Sequence, residues 1–347
     1  SPGAADALLF LGALAIEPAD RFVTWLAAHP WSAVDASLAS PASVLALGCV
    51  AAATQLGRVG GRGFVLALAV ALLGVGLPDE LRPWLDRTLV VRFLDVGQGD
   101  ATLVSLPGRG GTLLVDAGGL AGSFDPGERV VLPALRRAGV RRVRAVALSH
   151  PDFDHYGGIE AVARGVTIDE FWSSGRASDS ASFAELMRVL GDGGVRTRTL
   201  ARGDAPGPPE DGAEVRILNP PPAAHGLSEN DASLVVRVAF GATRLLLTGD
   251  VEAAAEAALS ARRDAVAATV LKVPHHGSRT SSSRALVAAS RPALAVALLG
   301  WRNRFGFPAP AVRDRYAAFG AAWRETARDG EIVLRSDGQL DAVETCR

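Results

Sequence analysis

Apolar residues follow two different patterns along this chain, and the change falls near residue 88. Before it, residues 4–16 (AADALLFLGALAI), 42–57 (ASVLALGCVAAATQLG) and 63–77 (GFVLALAVALLGVGL) run almost without charge. Each is shorter than the roughly 20 residues that span a bilayer. Three such runs, none with the charged face of a soluble amphipathic helix, nevertheless predict membrane-type helices, the first of them cut short at its start. Between the first two, Phe22, Trp25, Leu26 and Trp31 stand among polar residues, the composition of an interfacial segment. Arg58 and Arg62 are the only charges between the second and third runs. The excess of basic residues in cytoplasmic loops then predicts that everything after Pro78 emerges on the far side of the membrane.

From about Thr88 short apolar stretches alternate with Gly-rich turns. TLVVRFLDVGQGDATLVSLP reads as strand, turn, strand, and GTLLVDAGG as a further buried strand. ERVVLPALRRAG predicts a helix, VRAVALS a strand, and GIEAVARG the helix after it. Later come AEVRILNP, a hairpin turning at FGA within SLVVRVAFGATRLLLTGD, a helix over 251–262, and strands at ATVLKVP, ALAVALLG and GEIVLRSDGQL. Runs of strands with helices between some of them predict an α/β unit of two mixed sheets packed together, with helices outside.

Composition narrows the picture slightly. Acidic and basic residues nearly cancel, 37 against 36, so no global field marks a nucleic-acid binder, and such a role must use a local surface or bound metal. Cys49 and Cys346, the two cysteines, form neither a disulfide framework nor a zinc knuckle. Lys272 is the single lysine. The chain opens on Ser1 and reads as a piece of something longer.

The chemistry is concentrated where strands end. LSHPDFDHYGG supplies His150, Asp152, Asp154 and His155; LLLTGDVE supplies Asp250; LKVPHHGS supplies His275 and His276; SENDASL supplies Asn230 and Asp231 before a strand. One such segment alone is most often a polar turn with an Asp cap. Several of them at the edges of apolar strands build a metal site with rigid support.

The order H-x-D-x-D-H, G-D, H-H-G-S resembles the metallo-β-lactamase superfamily. The segments FLDVGQGDA, LLVDAGG, PHHGS and NRFGFP are similar to its branch in the ComEC-type competence DNA-uptake channels. The resemblance covers essentially the whole chain and is most specific over 88–310. It implies an αββα sandwich over 88–347, preceded over 1–80 by short membrane-type helices and an amphipathic segment, the last part of a polytopic membrane domain. It also implies two divalent ions. His150, Asp152 and Asn230 would face one; Asp154, His155 and His276 the other; Asp250 would bridge both. The residue before the glycine holds the ligand place in related sequences, which favours His276 and leaves His275 to reach the substrate phosphate. Asn230 stands where many relatives carry histidine, with Asp231 as the alternative donor. Asp116 would orient the ligands of the first loop, while Asp95, Gln98 and Asp100 would stiffen the turn beside it. Relatives usually show histidine where Phe307 stands, which removes a possible acid or substrate contact.

The implied activity is metal-dependent hydrolysis of phosphodiester bonds in incoming, single-stranded DNA during natural transformation. It would act on the extracytoplasmic side of a bacterial cell membrane, together with other DNA-uptake components. Water activated between the two ions would be the nucleophile, with Asp154 accepting its proton. Oxygen donors at Asp152 and Asn230 favour Mn²⁺ over Zn²⁺, with Mg²⁺ also suited. Two alternatives remain: a phosphoesterase acting on wall-polymer phosphodiesters, and a metal-binding domain that gates or binds DNA without turnover. Hydrolysis of β-lactams does not fit a membrane lead-in.

Overall fold

The computed structural model describes residues 87–346, apart from 120, 121, 123, 208 and 210. All of these belong to the second of the chain's two units, Leu77–Arg347. The three apolar runs, the interfacial segment and the loop holding Arg58 and Arg62 lie outside the described residues. Among those described, no helix is long and apolar enough to cross a membrane.

The strands, in chain order, are β1 (Leu89–Phe93), β2 (Ala101–Ser105), β3 (Thr112–Ala117), β4 (Arg142–Ala147), β5 (Thr167–Ser173) and β6 (Arg196–Thr199). There follow β7 (Ala213–Asn219), β8 (Val235–Phe240), β9 (Thr243–Leu247), β10 (Val270–Lys272), β11 (Leu294–Ala297), β12 (Ala322–Glu325), β13 (Glu331–Ser336) and β14 (Leu340–Cys346). One sheet has the order β14-β13-β1-β2-β3-β4-β5-β6, the other β12-β11-β10-β9-β8-β7. The expected hairpin is present: β8 and β9 are antiparallel, with Phe240 opposite Thr243.

Alternation along the strands explains the layering. In β1, Leu89, Val91 and Phe93 point between the sheets, where they join Val236, Val238, Leu245 and Val296 of the other sheet in one core. Arg92 points the other way and pairs with Glu331 at 3.0 Å. The parallel strands β3, β4 and β5 are buried on both faces, as covered parallel sheets must be. Leu113 and Val115 enter the central core, whereas Leu114, Val143 and Val146 pack outward with Leu135, Ile159 and Val162. Helix 284–290 and helix 310–318 cover the second sheet in the same way, through Leu286, Val287, Val312 and Tyr316. The result is helix, sheet, sheet, helix.

Among the departures from the expected elements, two have local causes. The helix read from ERVVLPALRRAG starts as a wider π-turn at Gly127–Val131 and becomes α only over Leu132–Arg137. Pro133 has no N–H for residue 129, and the winding changes beside it. The sequence reading contains no helix over Ala181–Asp192. Ser180 caps it by accepting from Phe183 N at 3.2 Å, and Phe183, Leu186 and Leu190 make its buried stripe.

The parallel strands β3, β4, β9 and β10 run out at their carboxyl ends into the segments that carry Asp116, His150, Asp250 and His276. This is the end of an open α/β sheet where ligand sites are generally built.

Candidate metal centre

His150, Asp250, His275 and His276 each sit just past a strand. His150 follows β4, and the loop then turns into a four-residue helix, Phe153–Tyr156, carrying Asp154 and His155. Asp152 occupies the cap position of this helix, yet its side chain makes no capping bond; Oδ2 lies 3.2 Å from His150 Nε2 instead. Asp250 follows β9 after Gly249, whose φ of +54° and close approach to Ser149 and Ser233 leave no room for a Cβ. His275 and His276 follow β10 with φ of 47° and 53°, a left-handed pair unusual for residues other than glycine. Asp116 at the end of β3 shares this geometry, with φ 57°. Backbone of this kind is held only where surrounding contacts over-determine it, and it clusters at functional sites.

The groups converge on Asp250. Its Oδ2 lies 3.3 Å from His276 Nε2, 3.4 Å from His155 Nε2 and 3.8 Å from His275 Nε2. Asp154 Oδ2 is 3.5 Å from His276 Nε2. The His150 and His155 rings have centroids 4.1 Å apart. Two sets of potential ligands are brought together on this side: His150, His155 and Asp250, and Asp154, His155 and His276.

The imidazoles are aimed by their other nitrogen. His276 Nδ1 donates to Leu298 O at 2.8 Å, and His155 Nδ1 donates to Asp116 Oδ2 at 3.0 Å. Asp116 is fixed in turn by Ser149 N, which donates to its Oδ1 at 2.8 Å. His150 Nδ1 is 3.0 Å from Ser149 Oγ. With Nδ1 engaged, the Nε2 atoms of His150, His155 and His276 are buried and have no hydrogen-bond partner among the described residues. Buried polar atoms are rarely left so. Three of them facing a carboxylate fit a cation, and partners on the far nitrogen are the usual support of a metal-binding histidine.

Without a cation, charge balance falls to protons. Burial opposes a charge on His155 and on His276, but Asp250 leads a set of carboxylates that hold both well above the ordinary imidazole range. Burial likewise opposes ionisation of Asp154, but His155 and His276 hold it well below the ordinary carboxylate range. A divalent ion on these ligands must displace the imidazole protons. Metal affinity should therefore rise with pH through and beyond neutrality, with protons released on binding. Calorimetric titration with Mn²⁺ in buffers of different ionisation enthalpy checks this, and affinity that is flat between pH 6 and pH 8 would contradict it.

Two residues behind the cluster were not read as site residues. Lys272, 2% exposed, donates from Nζ to Gly249 O at 2.8 Å, lies 3.3 Å from Asp250 Oδ1, and forms a very close ion pair with Asp100 Oδ2. It thereby holds one oxygen of Asp250 and leaves the other to face the imidazoles. Asp100, expected only to stiffen its turn, reaches the cluster itself: Oδ1 is 3.2 Å from His276 Nδ1. Its backbone N–H donates to Asp154 O at 3.2 Å, so the DVGQGD turn clamps the histidine loop. Gln98 extends this clamp across the fold by accepting from Gly300 N at 3.3 Å.

The remaining expected residues lie around this centre. His275 is about one quarter exposed, and its Nδ1 pairs with Glu252 Oε1 at 3.0 Å. Asn230 is half-buried in the turn before β8, where its carbonyl accepts from Ser233 N at 3.0 Å. Asp231 turns its carboxylate elsewhere: Oδ1 accepts from Glu252 N and Ala255 N, both at 3.0 Å, at the start of helix 253–260. Phe307 stacks on His276 with centroids 6.3 Å apart and meets His275 edge-on at 5.8 Å.

Comparison with known proteins settles the lineage. The sequence pattern of the metallo-β-lactamase superfamily matches residues 94–301. Competence protein ComA of Neisseria gonorrhoeae is 32% identical over 324 residues, covering 92% of this chain and 42% of that protein. ComE operon protein 3 of Bacillus subtilis is 28% identical over 256 residues, 71% of this chain and 33% of its own. The chain is a ComEC-type member of the metallo-β-lactamase superfamily. It spans less than half the length of these curated relatives. Among solved structures, the metallo-β-lactamase fold protein YhfI of Bacillus subtilis is similar at 13% identity with a TM-score of 0.45, covering 72% of this chain and 99% of that one. The superfamily match over residues 94–301 and the two packed sheets give the expected α/β metallo-β-lactamase fold, and metal-dependent hydrolysis is the general chemistry of the superfamily.

Proposed function

We propose that this unit is a divalent-metal-dependent nuclease, hydrolysing phosphodiester bonds of incoming DNA at a bacterial membrane during transformation. The observation that carries the reading is the set of buried, unpartnered Nε2 atoms gathered around Asp250 Oδ2. His150, Asp152 and Asn230 would hold one ion, and Asp154, His155 and His276 a second, with Asp250 common to both. Bound there, the ions would acidify water and neutralise charge developing on a phosphate. Asp154 is one-third exposed, so its carboxylate reaches the solvent side of the cluster, where it can take the proton of an attacking water at Oδ2. His275, steadied by Glu252, presents Nε2 to a phosphate oxygen. Oxygen donors at Asp152 and Asn230 favour Mn²⁺ over Zn²⁺. The competence proteins among the relatives supply the DNA context. The arginines at 58 and 62 support a site outside the cytoplasm, away from the chromosome.

The test is cleavage of a labelled single-stranded oligonucleotide by the purified chain with Mn²⁺, with Zn²⁺ and with chelator. Cleavage should be greatest with Mn²⁺ and absent in chelator. Activity with Zn²⁺ alone would overturn the metal assignment. A fully metal-loaded chain that binds DNA without cutting it would favour the gating reading, to which Phe307 beside His276 lends an observation. Cleavage confined to wall-polymer phosphodiesters would replace DNA as the substrate.

A further inference from the structure

The segment 300–308, GWRNRFGFP, carries two arginines and no acid. Asn303 holds its shape: its amide donates to Gly300 O at 3.1 Å and Phe307 O at 2.8 Å, while its oxygen accepts from Phe307 N at 2.9 Å. Closing the loop on itself pushes Trp301 and Phe305 outward, where they are 65% and 50% exposed. Large aromatic rings are normally mostly buried, so two close together left in water point to a ligand.

The rings are ordered. Phe305 stacks on Phe307 at 5.4 Å with planes 16° apart, and Phe307 stacks on His276 at 6.3 Å with planes 25° apart. A column of flat faces thus runs from solvent to a histidine of the metal centre. Arg304 lies 4.9 Å over the Phe305 ring and Arg302 5.9 Å over the Trp301 ring. Neither guanidinium is paired with a carboxylate among the described residues. The loop is anchored at both ends to the site, through Gln98 to Gly300 and through Ala309 N, which donates to Gly277 O at 2.9 Å.

We propose that this loop is a base-stacking platform that selects unpaired nucleic-acid strands and leads them to the metal centre. The proposal rests on the nuclease reading and adds the surface that would hold an unpaired strand beside the metal centre. Aromatic faces take up any base without reading sequence, and each stacked base is worth about 1–3 kcal/mol, or roughly 5- to 150-fold in affinity. Arg302 and Arg304 take the phosphates between those bases. A duplex keeps its bases stacked on each other and offers the rings nothing. A bilayer surface would also take up Trp301 and Phe305, but it gives no reason for rings to line up on His276.

The experiment compares binding of the full chain to four probes: an oligothymidylate of about 12 nucleotides, an abasic strand of equal length, a duplex, and phosphatidylglycerol vesicles. The thymidylate should bind at least fivefold more tightly than the abasic strand. Trp301→Leu with Phe305→Leu should erase that difference. Arg302→Gln with Arg304→Gln should weaken both strands alike. Equal binding of thymidylate and abasic strand by the unaltered chain overturns the proposal, and so does an aromatic-dependent affinity seen only for vesicles. Because these readouts are of binding, they separate the two claims. Base-dependent binding without cleavage sinks the nuclease alone, whereas cleavage without base dependence sinks the platform alone.

Discussion

A chain carrying Lys272→Met should lose about 3–5 kcal/mol of stability, and most of the loss should return when Asp100→Asn is added. The ammonium is enclosed with two carboxylates, Asp100 in very close contact and Asp250 at 3.3 Å. Burial alone would push the lysine down, but Asp100 and Asp250 outweigh it and hold it above its ordinary value. Burial would push Asp100 up, and Lys272 and His276 together hold it below the ordinary carboxylate value. The signs set the pH window. A raised lysine contributes its full stabilisation below the unfolded value near 10.4 and loses it only as pH rises through the folded one. A depressed carboxylate contributes above about 3.9 and loses it on acidification. Both are in force at neutral pH. Methionine keeps the length of the side chain but leaves the carboxylates uncompensated, and asparagine then removes one of them at nearly constant shape. Denaturant unfolding in chelator, so that no cation can stand in for the ammonium, measures both variants. An unchanged midpoint for the single variant would rule out the charge argument, and a double variant no better than the single would assign the loss to packing.

The lysine also shows where reading the sequence stops. Strand ends were legible because apolar stretches break off at HPDFDH, TGD and HHG, and all three breaks lie at the cluster. Lys272 was counted as the single lysine but treated as composition, although a lone charge between Leu271 and Val273 in a buried strand must find counter-charges. Asp100 could not be placed because its reach depends on how the DVGQGD turn folds over Asp154, a contact across 54 positions of chain. The left-handed backbone of Asp116, His275 and His276 was equally hidden, since none of these residues is a glycine that would advertise it. For the fold, β1–β4, β7–β11 and β13 are legible from their apolar stretches, whereas β5, β12 and β14 are not among the strands the sequence predicts. The exposed β6, with Arg196, Thr197 and Thr199 facing water, carried no apolar signal, and it joins the sheet through backbone pairing with β5. Helix 181–192 was missed although Phe183, Leu186 and Leu190 mark one face at helical spacing.

The two adjacent histidines should separate cleanly on substitution. His276 is 1% exposed, its Nδ1 is engaged by Leu298 O, and its bare Nε2 faces both Asp250 and Asp154. His276→Ala removes a donor shared by two carboxylates, and the cavity it leaves cannot supply another. Metal affinity should fall by more than the roughly 10- to 100-fold typical of losing an outer partner of a metal ligand, and turnover should fall with it. His275 is more exposed, stands 3.8 Å from Asp250, and is tied through Nδ1 to Glu252. His275→Ala should keep the metal content and lower turnover, because what is lost is a contact to substrate rather than to the ions. Glu252→Gln should shift turnover in the same direction by a smaller factor, since it loosens the ring without removing it. Metal analysis after dialysis, with oligonucleotide cleavage on the same samples, reads both quantities. Metal lost from the His275 variant and kept by the His276 variant would mean the roles are exchanged. Metal lost from both would place His275 among the ligands and leave the substrate phosphate to another group.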